Sequence, residues 1–319
     1  MNFERMLEKC RRGQWSIDQI DWTRPARPMG RTEELAVVQY FVNMAGIERL
    51  AKALFEEQRR RTRDPVLADI FTTFIADEER HAVAAERRAE YYDVHRYKTY
   101  RLDPALVRFR PAFIEAIRAV SAEFANMYIT TGELLLDTAL LRALSDYVDD
   151  SVCSEVMRLI NRDESRHIAI DYHMVGYYAS AGYQAWLRTQ PRKALSQHIV
   201  ALWTFARVLY HASPFVRRIF VEPITHLDPS RSRMREAFKR IQILGRKPEV
   251  ASRPFTRFLR VLQLAYDSPV IGSIFGRLLT RTAGVPGHVL TQLYSESEVE
   301  RACGMTYDEL AREAVASYP

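Results

Sequence analysis

A chain of 319 residues, 47% of them hydrophobic, is long enough to bury a sizeable core, and its mixture of 46 basic and 40 acidic residues excludes a disordered or low-complexity polypeptide. Three cysteines, Cys10, Cys153 and Cys303, match no metal or redox spacing; they exclude a disulfide scaffold and imply reduced thiols in a cytoplasmic compartment. The charged N-terminus lacks the apolar core of a signal peptide, and no unbroken apolar run approaches the ~18 residues of a membrane span.

Few glycines and almost no strict apolar/polar alternation predict an all-α protein. Residues 1–31 read as an arm rich in Arg, Pro and Trp. A first long helix is expected from about Thr32, with Glu33 and Glu34 in its first turn, to about Arg61, where RTRDP breaks it. A second runs from Pro65 to about Tyr97. RLDP leads into a third, from Pro104 to about Tyr147, with a bend expected near Gly132. After VDDS a fourth runs from Ser151 to about Ala179. Four long helices in two hairpins predict a four-helix bundle over residues 32–185. Residues 186–319 form a helical extension in which recurring prolines predict short helices. Residues 191–260 hold 15 Lys/Arg against 4 Asp/Glu, a net +11.

One pentapeptide pattern occurs twice: DEERH at 77–81 and DESRH at 163–167. On a helix, Glu78 and His81 share one face, as do Glu164 and His167. The first pair shares its face with Phe71, Phe74 and Ile75. A carboxylate and an imidazole are therefore aimed into the core, where an uncompensated charge costs several kcal/mol. A metal cation offsets that cost, and Glu/His donors suit iron, manganese or zinc. Hairpin geometry supplies the remaining donors. Reflecting Glu78 through a turn at residue 63 gives Glu48. Reflecting Glu164 through a turn at residue 149 falls one position from Glu133. The rival Glu123 lies ten residues off, ~15 Å along the axis. The expected constellation is Glu48, Glu78, His81, Glu133, Glu164 and His167, four carboxylates that two divalent ions balance.

This pattern resembles the ferritin-like di-iron carboxylate superfamily of ribonucleotide reductase small subunits, monooxygenase hydroxylases, acyl-carrier-protein desaturases and N-oxygenases. In that group two helices each give one Glu and two give Glu-x-x-His. The resemblance covers residues 32–180 and implies two iron ions, with Mn/Fe or di-manganese as variants. It also implies that the Asp before each motif Glu supports the opposite His, pairing Asp163 with His81 and Asp77 with His167, which fixes tautomers. Arg80 and Arg166 could neutralise those aspartates. Ala85 stands where the reductase subunits carry a radical tyrosine, and Ile160 where one N-oxygenase group adds a histidine. Thr130 and Asp137, one turn either side of Glu133, could line an oxygen-binding pocket, although a hydroxyl satisfied within the core is the first reading for Thr130.

The functional expectation is an O2-activating oxidoreductase that hydroxylates, N-oxygenates or desaturates a small organic or acyl substrate. Electrons come from an external donor, since no flavin or nucleotide motif is present. A ferroxidase is the alternative. The basic extension reads first as a solvated surface, then as a dock for an acidic carrier protein, and last as a nucleic-acid face for a tRNA hydroxylase, because no RNA-binding signature accompanies it. The amphipathic stretches 198–210 and 270–279 could meet lipid or form a homodimer interface; a core-facing position ranks above both.

Overall fold

The computed structural model describes residues 1–191 and 194–316. Its helices are α1 (Phe3–Arg12), α2 (Arg31–Arg61), α3 (Pro65–Tyr92), α4 (Pro104–Ala119), α5 (Ala122–Glu133), α6 (Arg142–Val148) and α7 (Ser151–Ala179). The extension adds α8 (Ala181–Thr189), α9 (Leu195–Phe215), α10 (Glu222–Leu227), α11 (Ser232–Leu244), α12 (Pro248–Ala251), α13 (Pro254–Asp267), α14 (Ile271–Ala283), α15 (Gly287–Leu290), α16 (Glu296–Gly304) and α17 (Tyr307–Val315). No β-strand occurs among the described residues.

The bundle is ferritin-like: α2 and α3 form one antiparallel hairpin, and the α4–α6 segment with α7 forms the other. Local chemistry sets the ends. Asp64 accepts from the backbone N–H of Val66 and Leu67, and Pro65 starts α3 without needing a donor. Asp150 caps α7 in the same way, after Asp149 turns the chain at φ 45°. α7 spans the expected residues. α3 stops at Tyr92, short of Tyr97.

The third helix departs from the expected rod. It breaks at Val120 and Ser121, both extended, and the Ser121 hydroxyl caps α5. Gly132 marks no break. Instead, the wide turns of a π-helical segment, Leu134–Leu141, follow Glu133 and carry the chain into α6. Such turns advance less along the axis per residue than α-helical ones. Glu133 therefore needs one residue more than Glu164 to reach the same height from the turn, which accounts for the one-position mismatch in the reflection.

The arm is part of the structure. α1 docks on α3 and α7 and buries Leu7 and Cys10. The extension wraps the bundle: α17 lies on α7, α11 on the π-helical segment, and α9 along α4. Several of its basic residues face bundle carboxylates, as in Arg218–Asp103 at 2.8 Å and Arg253–Glu123 at 3.0 Å. Prolines do not keep every helix short. Leu195–Leu227 is one continuous 33-residue helical rod, with Pro214 two residues before and Pro223 two residues after a second π-helical segment, Val216–Val221. This rod is long and apolar enough to cross a membrane, which a search for unbroken apolar runs misses.

Candidate metal centre

The two motif helices face each other at the middle of the bundle. Glu48 comes from α2, Glu78 and His81 from α3, Glu133 from the end of α5, and Glu164 and His167 from α7. Helical spacing turns each Glu-x-x-His pair inward, and close packing around them removes water: Glu48, Glu78, His81, Glu164 and His167 are fully buried and Glu133 is 3% exposed.

The donors converge in two overlapping quartets, Glu48/Glu78/His81/Glu164 and Glu78/Glu133/Glu164/His167, with ligand atoms within 4.8 Å of one another in each. Glu78 and Glu164 belong to both. His81 Nδ1 lies 3.2 Å from one Glu164 oxygen and 3.9 Å from Glu78, while His167 Nδ1 lies 3.0 Å from Glu78 and 3.2 Å from the other Glu164 oxygen. Two bridging carboxylates, with one terminal carboxylate and one imidazole at each end, can hold a pair of cations.

Charge balance supports that fit. Both oxygens of Glu48 and Glu133 Oε2 are buried without a hydrogen-bond partner, and the Glu78 and Glu164 oxygens and both histidine Nδ1 atoms are buried facing one another. Burial, and then repulsion from Glu78, lifts the Glu48 carboxyl well above its usual range; burial, and then Glu164, does the same to Glu133. His81 is pushed up to about 10, because the Asp163 and Glu164 carboxylates outweigh a burial penalty that acts the other way. His167 rises for the same reason through Glu164 and Asp77. Protons thus hold the place of positive charge at a site built to receive it.

The outer nitrogens follow the crossed arrangement. His81 Nε2 lies 3.1 Å from Asp163 and His167 Nε2 lies 3.4 Å from Asp77. Arg80 pairs with Asp77 and Arg166 with Asp163, and each also reaches the other aspartate, at 3.5 and 3.7 Å. Burial opposes ionisation of Asp163, but the hydrogen bond from His81 holds it well below the usual carboxylate range. Glu123 stands apart from the quartets, paired with Arg253. Thr130 gives its hydroxyl proton to the Asn126 carbonyl at 2.9 Å, and Asp137 pairs with Arg142 at 3.2 Å.

Three features escaped the sequence reading. Trp15 Nε1 donates to Asp163 at 2.7 Å and Gln14 donates to Asp77 at 2.9 Å, so the arm caps the crossed pairs. Asp171, one turn past His167, is fully buried with both oxygens unpartnered. A cavity of about 320 Å³ runs from Glu133 between α2, α4, α5, α9, α13 and α14; among the described residues Glu133 is the one carboxylate in its wall, and Thr131 and Gly132 line it in place of Thr130 and Asp137.

Solved structures with a similar course exist. The chain is similar to dimanganese(II)-NrdF from Streptococcus sanguinis, with 14% identity and a TM-score of 0.46 over 79% of this chain and 89% of that one. It is also similar to a point mutant of R2-like ligand-binding oxidase with an anaerobically reconstituted Mn/Fe cofactor, with 14% identity and a TM-score of 0.47 over 90% of this chain and 94% of that one. No family model matches the chain, and no curated protein does.

Proposed function

We propose that this protein is an O2-activating dimetal oxidoreductase, most simply di-iron, that oxidises an apolar organic substrate. The carrying observation is the junction of the two quartets with the cavity: Glu133 belongs to one quartet and to the wall of an otherwise apolar chamber. When bound, the two metals would supply the electrons and Lewis acidity for O2 reduction.

The residues of the chain have separate tasks in this reading. Glu78 and Glu164 would be shared by two ions, Glu48 and His81 would hold one of them, and Glu133 and His167 would hold the other. Asp163 and Asp77 accept from the outer imidazole nitrogens, keeping Nδ1 free for metal. Phe109, Phe113 and Phe215 keep the cavity dry and favour an alkyl or acyl chain. Hydroxylation takes one pair of electrons from the substrate and one from an external donor, in a reducing setting that suits the three unpaired cysteines. A ferroxidase has no use for an apolar chamber beside its donors.

The test is anaerobic loading with Fe(II), desalting, and mixing with O2. A transient visible absorbance is expected, and its decay should quicken with a medium-chain alkane or fatty acid that then carries label from isotopically labelled O2. Steady oxidation of added Fe(II), with no organic molecule altering the transient, would overturn the reading in favour of iron handling.

A further inference from the structure

The amphipathic stretches for which sequence reasoning ranked a core-facing position first bury one side and turn an apolar face outward on the other. Along α9, Leu195, Ile199, Leu202, Trp203 and Tyr210 are all exposed and fall on one helical face, with Trp203 65% and Tyr210 78% exposed. α14 packs against both α9 and α13 and presents Ile274 and Leu278; α13 presents Val261 and Leu264. We propose that this three-helix face docks on an anionic lipid bilayer and that the cavity beneath it draws its substrate from that membrane.

Charge selects the occupant. Residues 181–221 carry six Lys/Arg and no Asp/Glu, with Arg207, Arg217 and Arg218 paired to carboxylates outside that stretch, and residues 250–290 carry five Lys/Arg, of which Arg253 pairs with Glu123, and one acid, Asp267. Asp267 is taken up by the Thr291 hydroxyl and the Gln292 backbone. Arg257, Arg260, Arg277 and Arg281 are exposed and enter no ion pair among the described residues. Cations beside an apolar face, with a tryptophan and a tyrosine at its boundary, match an interfacial surface that meets acidic headgroups. A second copy docked face to face would set these arginines against their own counterparts, with no free carboxylate on the face to offset them.

Geometry separates docking from spanning. The opposite side of the Leu195–Leu227 rod is committed to the protein: Thr204, Val208 and Phe215 are buried, and α9 lies along α4. The rod therefore lies flat with one face free. Its inner residues Phe205 and Leu209, with Phe258 and Leu262 of α13 and Ala283 of α14, wall the cavity that ends at Glu133. The helices that meet the membrane are those between which an alkyl chain would enter. Docking stands independently of the metals; substrate delivery rests on the proposed function.

The metal-free protein is mixed with vesicles of phosphatidylcholine, with or without phosphatidylglycerol, and the bound fraction is read by flotation. Binding should require phosphatidylglycerol and weaken with salt. Leu202→Glu/Ile274→Glu and Arg260→Glu/Arg277→Glu should each lower partitioning at least about tenfold, with circular dichroism and thermal midpoint unchanged. Wild-type protein that floats with neither vesicle, variants that bind as wild type does, or a stable dimer dissociated by the same variants without any vesicle binding would overturn docking. Binding that persists while the iron-loaded protein oxidises a soluble apolar substrate, yet ignores the same chain in vesicles, would overturn delivery alone.

Discussion

Because Glu78 and Glu164 sit in both quartets and the other four donors in one each, single substitutions should sort into two classes. Glu164→Ala removes a bridge and should abolish both ions; Glu48→Ala should leave the Glu133/His167 end and retain one. At a free metal concentration about 100-fold above Kd, each ion stabilises the folded state by about 2.7 kcal/mol, so two give about 5.4 kcal/mol. Unfolding entropy of about 2 cal/mol/K per residue amounts to ~0.7 kcal/mol/K for this chain. Loading should therefore raise the wild-type thermal midpoint by about 8 °C, the Glu48→Ala midpoint by about 4 °C, and the Glu164→Ala midpoint hardly at all. Scanning calorimetry with and without Mn(II), beside metal analysis of desalted protein, gives both readouts. Two ions and a full shift in Glu164→Ala, or loss of both in Glu48→Ala, would refute the shared-bridge geometry.

Asp163→Asn and Asp77→Asn should each weaken metal binding by about 10- to 100-fold in chelator competition, because a carboxylate facing the imidazole is lost. Asp137, lifted by burial to about 6 against the pull of Arg142, keeps its proton in the folded state where the unfolded chain has lost it. Wild-type stability should therefore fall by about 2–3 kcal/mol relative to Asp137→Asn as pH rises from about 4 to about 7, measured by urea unfolding of the metal-free protein. A Cβ at Gly132 would meet nothing within 4 Å, and Gly132 borders the cavity; Gly132→Leu should leave the thermal midpoint within about 1 °C of wild type and sharply reduce uptake of a hydrophobic fluorophore.

The positions of all six candidate donors were legible because each rests on a local rule. The i, i+3 spacing places Glu78 beside His81 and Glu164 beside His167, and equal distance from a turn places Glu48 and Glu133 opposite them. What stayed hidden was non-local or hydrogen-bond-specific. Nothing periodic ties Trp15 to Asp163, 148 positions away. The π-helical segment leaves the apolar pattern intact while rotating the face beyond Glu133, so Asp137 meets Arg142 and is absent from the cavity wall. In α9 the pattern reveals an apolar face and is silent on whether protein or something else covers it.

The long reach of Trp15 has a consequence for biogenesis. On the ribosome the arm emerges before its partners, which lie 63 positions beyond Gln14 at Asp77 and 148 positions beyond Trp15 at Asp163. Until α7 clears the exit tunnel, the first Glu-x-x-His pair has neither its opposite carboxylate nor its cap. A nascent chain would then hold its first Glu-x-x-His pair open to whichever cation is abundant, without the crossed carboxylate that the folded protein sets against His81.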